Sequence, residues 1–148
     1  FSVPKKFILR LEVKLFLGAK ANAGIQIRTK RIPNHHEVIG YQADLGKGWW
    51  GSLYEESRRR RVFSRADPTV IHKILKPNNW NRYEIRCEGN RIRLYINGAQ
   101  SIDYTEADPK IPLMGVIALQ IHGGPPSETW YRNIRLNPPS LVPNRQVS

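Results

Sequence analysis

Hydrophobic and polar residues alternate along most of the chain, with the period of two that is typical of strands buried on one face. In the first such segment, KFILRLEVKLF, one face carries Phe7, Leu9, Leu11, Val13 and Leu15, and the other face is mostly charged. The same pattern predicts strands in GIQIRTK, VIGYQADL, GSLYEES, LMGVIALQIHG and ETWYRNIRL.

The middle of the chain predicts a three-stranded meander from WNRYEIRCE, RIRLYI and AQSIDY. Gly89-Asn90 marks the first turn, and Asn97-Gly98 is a strong signal for a two-residue hairpin loop. Cys87 is the only cysteine, so no disulfide can form within the chain. Its position in the alternation predicts a buried thiol.

One short helix interrupts the strands. Asp67 is suited to the N-cap and Pro68 to the first helical position, and the apolar spacing of TVIHKIL predicts a helix that ends before Pro77. Eight or nine strands with one short helix predict an all-β fold, an antiparallel β-sandwich of the jelly-roll type.

The length of 148 residues suits one domain. We expect residues 1–137 to form the sandwich and residues 138–148 to form a proline-containing tail or linker. The 24 Lys and Arg residues against 12 Asp and Glu give a net charge of +12, which favours anionic partners. No apolar stretch reaches the length of roughly 18 residues that a transmembrane helix needs.

Three predicted strands place a polar pair on the face opposite their apolar residues. A solvated sheet face would show the same alternation, and that alternative stays open. The choice of side chains nevertheless differs from that of the hairpin at 82–96, whose polar positions carry long charges. The pairs are Gln26 with Arg28, Gln42 with Asp44, and Gln120 with His122.

Amide groups both donate and accept hydrogen bonds, as sugar hydroxyls do. Gln42, Gln120 and His122 could therefore bind a sugar while Trp49 and Trp50 stack on its apolar face. Next to Asp44, His122 could serve as a general base, although a histidine at a strand end also fits a structural or solvated role.

The carboxylates near the presumed cleft are open to two interpretations. Each fits a salt-bridge partner as well as an acid catalyst, above all where four arginines follow at Arg58 to Arg61. The residues are Glu37, Asp44, Glu55 and Glu56. The histidine spacing does not resemble a metal site, so we expect no metal and no cofactor.

The arginine run raises the alternative of nucleic-acid binding, because adjacent arginines can neutralise several phosphates. No helix-turn-helix, zinc-finger or RNA-recognition motif accompanies the run, and basic residues are spread along the chain. Nucleic acid is therefore not an expected partner. A solvated loop, or docking to an acidic protein, explains the run more simply.

Five segments occur in a characteristic order along the chain, and they are NAGI, GYQADLGKGWWGSLYEESR, NNWNRYEIRCEGNRIRLYING, GVIALQIHGG and TWYRNIRL. Together they resemble the 3-keto-disaccharide hydrolase domain family, also called domain of unknown function 1080, of the concanavalin A-like lectin and glucanase superfamily. The resemblance implies a concanavalin A-like jelly roll of two antiparallel sheets, exported in bacteria and often fused to other modules.

The family resemblance also implies an unusual reaction. In a glycoside oxidised at C3, the ketone acidifies the proton on C2, so a base can remove it and the C1 substituent can leave by elimination before water adds. By matching position, His122 or Asp44 would be the base. The implied substrate-binding residues are Arg28, Gln42, Trp49, Trp50, Tyr54, Glu55, Gln120 and Arg132, with Arg28 or Arg132 stabilising negative charge.

Two departures from the family pattern stand out. Many members carry Glu where this chain has Gly40, and the strands that usually precede NAGI are mostly missing. The leading hypothesis is an exported hydrolase or lyase of 3-keto-glycosides whose partner is an oligosaccharide or glycoside. The alternative is a noncatalytic carbohydrate-binding or assembly module of a larger protein.

Overall fold

The computed structural model of the protein describes residues 2–16, 21–121 and 126–137. Within these ranges ten strands and one helix form two antiparallel sheets, which confirms the predicted all-β jelly-roll sandwich with one short helix. The strands are β1 (Lys6–Phe16), β2 (Asn22–Arg31), β3 (Val38–Gly46), β4 (Leu53–Glu56), β5 (Val62–Ser64), β6 (Asn81–Glu88), β7 (Arg91–Ile96), β8 (Ala99–Thr105), β9 (Val116–Ile121) and β10 (Glu128–Asn137).

Each sheet has five strands and is completed by a strand from late in the chain. One sheet has the order β5-β4-β3-β2-β9, and we call it the groove sheet. The other has the order β10-β1-β6-β7-β8, and we call it the charged sheet. The strands β9 and β10 join opposite sheets, so the last part of the chain ties the two layers together. The proline-containing tail predicted at 138–148 lies outside the described residues.

The core lies between the sheets and is formed by the apolar faces that the alternation predicts. Tyr41, Tyr83 and Phe7 are the largest side chains with almost no exposed surface. Cys87 is buried among them, as its position in β6 predicts. Burial raises the pKa of its thiol to about 12.

The helix α1 (Pro68–Ile74) begins where the sequence predicts. The Asp67 carboxylate accepts a 2.8 Å hydrogen bond from the backbone N–H of Thr69, and Pro68 occupies the first turn, where a missing N–H costs nothing. Ile71 is the buried residue of the helix. No helix in the part of the chain that the structure describes is long and apolar enough to span a bilayer.

The hairpin between β7 and β8 also follows its sequence signal. Asn97 and Gly98 have φ values of 49° and 84°, and two positive values in succession match the twist of a two-residue hairpin loop. The Asn97 side chain donates a 2.8 Å hydrogen bond to the carbonyl of Ile74 at the end of the helix. This turn therefore also anchors α1 to the charged sheet.

The structure differs from the sequence prediction in β2. A register shift between Ile27 and Lys30 interrupts its pairing with β3, and Arg28 has a φ of 51°. The bulge ends the strict alternation, so Arg28 does not share a face with Gln26. The neighbouring strands approach closely here, because a Cβ at Gly40 would lie 2.9 Å from the Arg28 carbonyl oxygen.

The sequence prediction also missed β5 (Val62–Ser64), which is the edge strand of the groove sheet. It has three residues and directly follows the arginine run, so it is too short to show an alternating pattern.

Candidate functional site

A groove of about 1560 Å³ lies on the outer face of the groove sheet. This volume exceeds the range of roughly 300–1,000 Å³ that is usual for small-ligand pockets. The floor comes from β2, β3, β4 and β9, and the segment before β3 contributes one wall. An extended ligand of several rings would fit such a site better than a single small molecule.

Strand register brings the polar residues of the floor together. Gln26 lies directly opposite Gln42, and Gln42 lies directly opposite Tyr54 on its other side. Side chains of directly opposed residues point to the same face of a sheet, with Cβ atoms about 5 Å apart. Three strands thus contribute adjacent polar side chains to the floor.

The amides of the floor form a directed hydrogen-bond chain that ends at Asp44. Gln26 Nε2 donates to Gln42 Oε1 at 3.1 Å, and Gln42 Nε2 donates to Asp44 Oδ1 at 2.8 Å. All three side chains are almost fully buried. These hydrogen bonds orient the Asp44 carboxylate within the groove floor, because the Gln42 amide accepts through its oxygen and donates through its nitrogen.

Gly24 has no side chain, and this leaves room for the hydrogen-bonded side chains of Gln42 and Asp44. It pairs with Asp44 on one side and with Gln120 on the other, so it lies between two polar side chains of the floor. A Cβ at Gly24 would lie 2.6 Å from Cγ of Gln42. Any side chain here would therefore displace Gln42 from its hydrogen bond with Asp44.

Two buried acceptor atoms in the groove have no hydrogen-bond partner among the described residues. They are Oε1 of Gln120 and Oδ1 of Asn22, and both residues line the groove. An unpaired buried acceptor costs about 1–3 kcal/mol. A shift of either side chain toward the groove would let its oxygen accept from a ligand hydroxyl and recover that cost. These atoms favour a ligand with several hydrogen-bond donors.

Trp49 lines the groove, whereas Trp50 does not. The exposed fraction of Trp49 is 37%, and the Arg65 guanidinium lies 5.0 Å from the centre of its ring. Trp50 is buried, with an exposed fraction of 8%, and lines a separate cavity beside α1. Only Trp49 of this pair is therefore available to stack on a ligand in the groove.

The segment before β3 adds two stacked imidazoles to the wall of the groove. The rings of His35 and His36 lie 4.5 Å apart, and Glu37 follows them. The Ser57 hydroxyl donates a 2.6 Å hydrogen bond to Glu37 and lowers the pKa of that carboxyl group. The sequence analysis placed Glu37 near the presumed cleft, whereas the two histidines were not among the expected site residues.

The structure places Arg28 away from the groove. The bulge in β2 turns its side chain toward the charged sheet, where Nη2 donates a 2.9 Å hydrogen bond to the carbonyl of Lys5 and another to the carbonyl of Gly89. The expected role of Arg28 on the ligand therefore has no support from its position.

Arg132 also lies on another surface. Its guanidinium pairs with Glu12 across the charged sheet, with Nε 3.2 Å from the carboxylate, and stacks 3.8 Å from the ring centre of Trp80. The strand β10 belongs to the charged sheet, so this side chain lies on the opposite side of the sandwich from the groove.

Glu55 points into the sandwich because it alternates with Tyr54 along β4. Burial opposes its ionisation, but hydrogen bonds from Arg59 and Arg58 outweigh that effect and lower its pKa to about 2. Arg59 also forms a 2.5 Å ion pair with Glu106. The expected contact of Glu55 with a substrate is replaced by this internal network.

The same network holds two of the four arginines in the run from Arg58 to Arg61. Arg58 and Arg59 are held by Glu55, whereas Arg61 stacks 4.7 Å from the ring centre of Phe63. Side chains that are held by buried carboxylates are not free to neutralise phosphates. The run is thus largely a structural element that closes the loop between β4 and β5.

His122 lies outside the described residues, so its expected role as a base stays a prediction. Within the described ranges no group of three or more His, Cys, Asp or Glu side chains is placed to hold a metal ion.

Comparison with known families decides the classification. Residues 3–137 match the model of the 3-keto-alpha-glucoside-1,2-lyase-like domain. The chain belongs to this family. The match spans β1 to the end of β10 and so includes every described strand of the sandwich. The resemblance found in the sequence motifs is confirmed.

Solved structures share the fold at low sequence identity. The carbohydrate binding module CBM66 from Bacillus subtilis has a TM-score of 0.70 and 15% identity, with 92% of this chain and 76% of that chain covered. A protein from Parabacteroides distasonis, provisionally classed as a glycosyl hydrolase, has a TM-score of 0.68 and 20% identity, with coverage of 93% and 79%.

A galectin from Caenorhabditis elegans is also similar, with a TM-score of 0.54, 17% identity and coverage of 93% and 89%. No curated protein sequence matches this chain at a significant level. At these identities the structural likeness establishes the jelly-roll fold of the lyase-like domain and nothing finer.

Several residues of the groove in this lyase-like domain escaped sequence reasoning. Gly24 is part of the NAGI motif, and its signal was a glycine inside a strand, which often marks a close approach. Asn22 precedes it in the same motif and reaches the groove by the same alternation. The histidines at 35–36 gave no periodic signal, because they lie in a loop.

Proposed function

We propose that the groove binds a glycan and that this lyase-like domain cleaves 3-keto-glycosides there. The observation that carries the proposal is the amide chain from Gln26 through Gln42 to Asp44, which presents an oriented carboxylate beside Trp49. The family description supports the reaction type. The names of a carbohydrate binding module and a galectin with the same fold support a glycan ligand.

In the proposed reaction the Asp44 carboxylate, or His122, takes the proton from C2 of the 3-keto sugar. The electron pair of the broken C2–H bond forms an enolate with the C3 carbonyl. The enolate then restores the ketone and forms the C1–C2 double bond while the C1–O bond breaks. The aglycone oxygen takes up the proton that the base removed from C2, which regenerates the base. Addition of water across the double bond gives the free 3-keto sugar.

The groove residues would hold the sugar in position for this step. Gln120 and Asn22 offer acceptor atoms to sugar hydroxyls, and Trp49 offers an indole face for stacking. Because the amides are held by neighbouring strands rather than by loops, they are organised before the ligand arrives.

A second function, noncatalytic glycan binding, is favoured by one observation. Arg28 and Arg132, the two cations expected to stabilise the enolate, both lie outside the groove. Neither of these arginines can stabilise an enolate in the groove, and an unstabilised enolate is costly to form. The arginine that does line the groove, Arg31, was not among the expected site residues. Binding without turnover is therefore the alternative outcome.

The test uses p-nitrophenyl 3-keto-α-glucoside and, as control substrate, p-nitrophenyl α-glucoside. We expect release of p-nitrophenol from the keto compound alone, and loss of release in Asp44→Asn or His122→Ala with glycan binding retained by calorimetry. Binding without release would support the binding module. Neither binding nor release would contradict both functions of the groove.

We infer from the family and its glycan chemistry that the domain works outside the cytoplasm, in the periplasm or the medium of a bacterium. Fractionation of cells that make the native polypeptide tests this, and recovery in the cytoplasmic fraction would contradict it.

A further inference from the structure

A second cavity of about 600 Å³ lies between α1 and the turn that follows β3. Its volume is within the range of roughly 300–1,000 Å³ that is usual for small-ligand sites. Most of its wall is apolar, from side chains of β1, the turn and the helix region. These residues are Leu15, Trp50, Ala66, Ile71 and Leu75.

The charged side chains on this wall are lysines. Lys47 and Lys76 line the cavity together with His72, and no carboxylate is among its described lining residues. All three of these side chains belong to exposed residues, so they lie where the cavity meets solvent. An anion at this edge would meet two ammonium groups, and no described carboxylate of the wall would repel it.

Three amide side chains line the wall, from Asn78, Asn79 and Asn81, and only that of Asn81 is buried. The Asn81 side chain bonds to the backbone N–H of Lys76 at 2.8 Å and to the carbonyls of Lys76 and Asn79. The buried amide of the wall is therefore already satisfied, and the other two amides belong to exposed residues. Apolar contact is the main contribution that the wall can make to binding.

The cavity and the groove are separate sites divided by one turn. Trp49 lines the groove and Trp50 lines the cavity, although the two residues are adjacent. Both backbone N–H groups bond to the carbonyl of Gly46, at 2.9 Å and 3.1 Å, which holds the turn in place. A ligand in the cavity would not compete with a glycan in the groove.

We propose that this cavity binds a small hydrophobic anion, a compound with an apolar aromatic body and one sulfonate or carboxylate group. The body packs against Trp50 and Ile71, and the anionic group lies at the edge near Lys47 and Lys76. This site goes beyond the proposed glycan function and does not depend on it.

The test compares naphthalene-2-sulfonate with the uncharged 2-naphthalenemethanol, using calorimetry and NMR of the intact chain. We expect the sulfonate to bind about tenfold more tightly, the effect of one charge-assisted contact. The double variant Lys47→Gln/Lys76→Gln should remove this difference, whereas Lys110→Gln, which changes an exposed lysine outside the cavity lining, should keep it.

Location is tested in two ways. Ala66→Phe fills the cavity and should abolish binding of both probes, while nuclear Overhauser contacts in the unaltered chain should join the naphthalene ring to the Ile71 methyl groups. If Ala66→Phe does not fold, the contacts to Ile71 decide the location alone. Absence of binding, absence of those contacts, or an equal loss in Lys110→Gln would overturn the proposal.

Discussion

The side-chain amide of Gln42 donates a 2.8 Å hydrogen bond to Oδ1 of Asp44, two residues away on the same face of β3. Residues i and i+2 of a strand point to the same side, so this contact is local in origin. Its orientation is not local, because Gln26 on β2 holds the oxygen of the same amide.

Replacing Gln42 by methionine keeps the length of the side chain and removes both hydrogen bonds. We expect Gln42→Met to lower the free energy of unfolding by about 1–3 kcal/mol, since Gln26 and Asp44 each lose a buried partner. Glycan affinity or turnover should fall with it, by about tenfold. Urea denaturation and the p-nitrophenol assay measure the two effects.

The matched control is Gln100→Met on β8, where the side chain is exposed. It should leave both quantities unchanged. Equal destabilisation by the two substitutions would show that the amide chain does not stabilise the groove floor.

Substitutions of the adjacent residues Trp49 and Trp50 should affect different properties, glycan affinity in the first case and stability in the second. Trp49→Ala should weaken glycan binding by roughly tenfold, or about 1.4 kcal/mol, with little effect on stability, because the ring is partly exposed at the groove. Trp50→Ala should lower the free energy of unfolding by about 3–5 kcal/mol, because it removes a large buried side chain.

Calorimetric titration with a glycan and thermal denaturation of both variants distinguish these outcomes. A loss of affinity in Trp50→Ala that exceeds the loss in Trp49→Ala would mean that the ligand does not use the groove.

Glu55 should be a major contributor to stability at neutral pH. Glu55→Gln leaves Arg58 and Arg59 without their buried carboxylate, and breaking such a pair costs about 3–5 kcal/mol. The control, Glu88→Gln, removes exposed ion pairs with Lys6 and Arg93 and should cost less than about 1 kcal/mol. Equal effects would contradict the internal role of Glu55.

The contribution of Glu55 should depend on pH in a defined window. Its pKa is about 2 in the folded chain and ordinarily 4.5. Because the folded value is the lower one, the stabilisation is complete above about pH 4.5 and is lost as the pH falls toward about 2. The difference between the native chain and Glu55→Gln should therefore shrink by on the order of 2 kcal/mol between pH 7 and pH 3.

Urea denaturation of both chains at the two pH values measures that difference. A gap that stays constant between pH 7 and pH 3 would show that Glu55 does not titrate in this window.

The arginine run should not make the domain a specific DNA-binding protein. We expect any DNA affinity to fall steeply with NaCl, as for nonspecific contact with a chain of net charge +12. Arg60→Gln/Arg61→Gln should change that affinity less than twofold, because these two arginines are a small part of 24 Lys and Arg residues that are spread over the chain. A tenfold loss in this variant would assign the run to nucleic acid.

Local patterns predicted most of the fold. Alternation located β1, β2 and β3, and the Asn97-Gly98 signal located the hairpin, because strand period and turn geometry depend on neighbouring residues. The polar pair of Gln42 and Asp44 was predicted from the same two-residue period of the strand. The bulge at Arg28 did not follow, since it depends on how closely Gly40 approaches from the next strand.

The candidate site was predictable in its composition and only partly in its geometry. Gln42, Asp44 and Gln120 share the groove because β9 pairs with β2 across the sheet, although Gln120 and Gly24 are far apart in the chain. The surroundings of Trp50, Glu55 and Arg132 depend on how distant strands and turns pack against one another, and no local sequence rule specifies that packing.

The sequence by itself determined nine of the ten described strands, where the helix begins, and which side chains share a face wherever no bulge interrupts the strand, because these properties arise from steric and hydrogen-bonding preferences over a few residues. The tertiary structure decided which faces meet, which arginines are held by Glu55 and Glu106, and that Trp49 and Trp50 line different sites. Those outcomes depend on contacts between distant strands, whose register is selected by the summed burial and pairing of the whole sandwich.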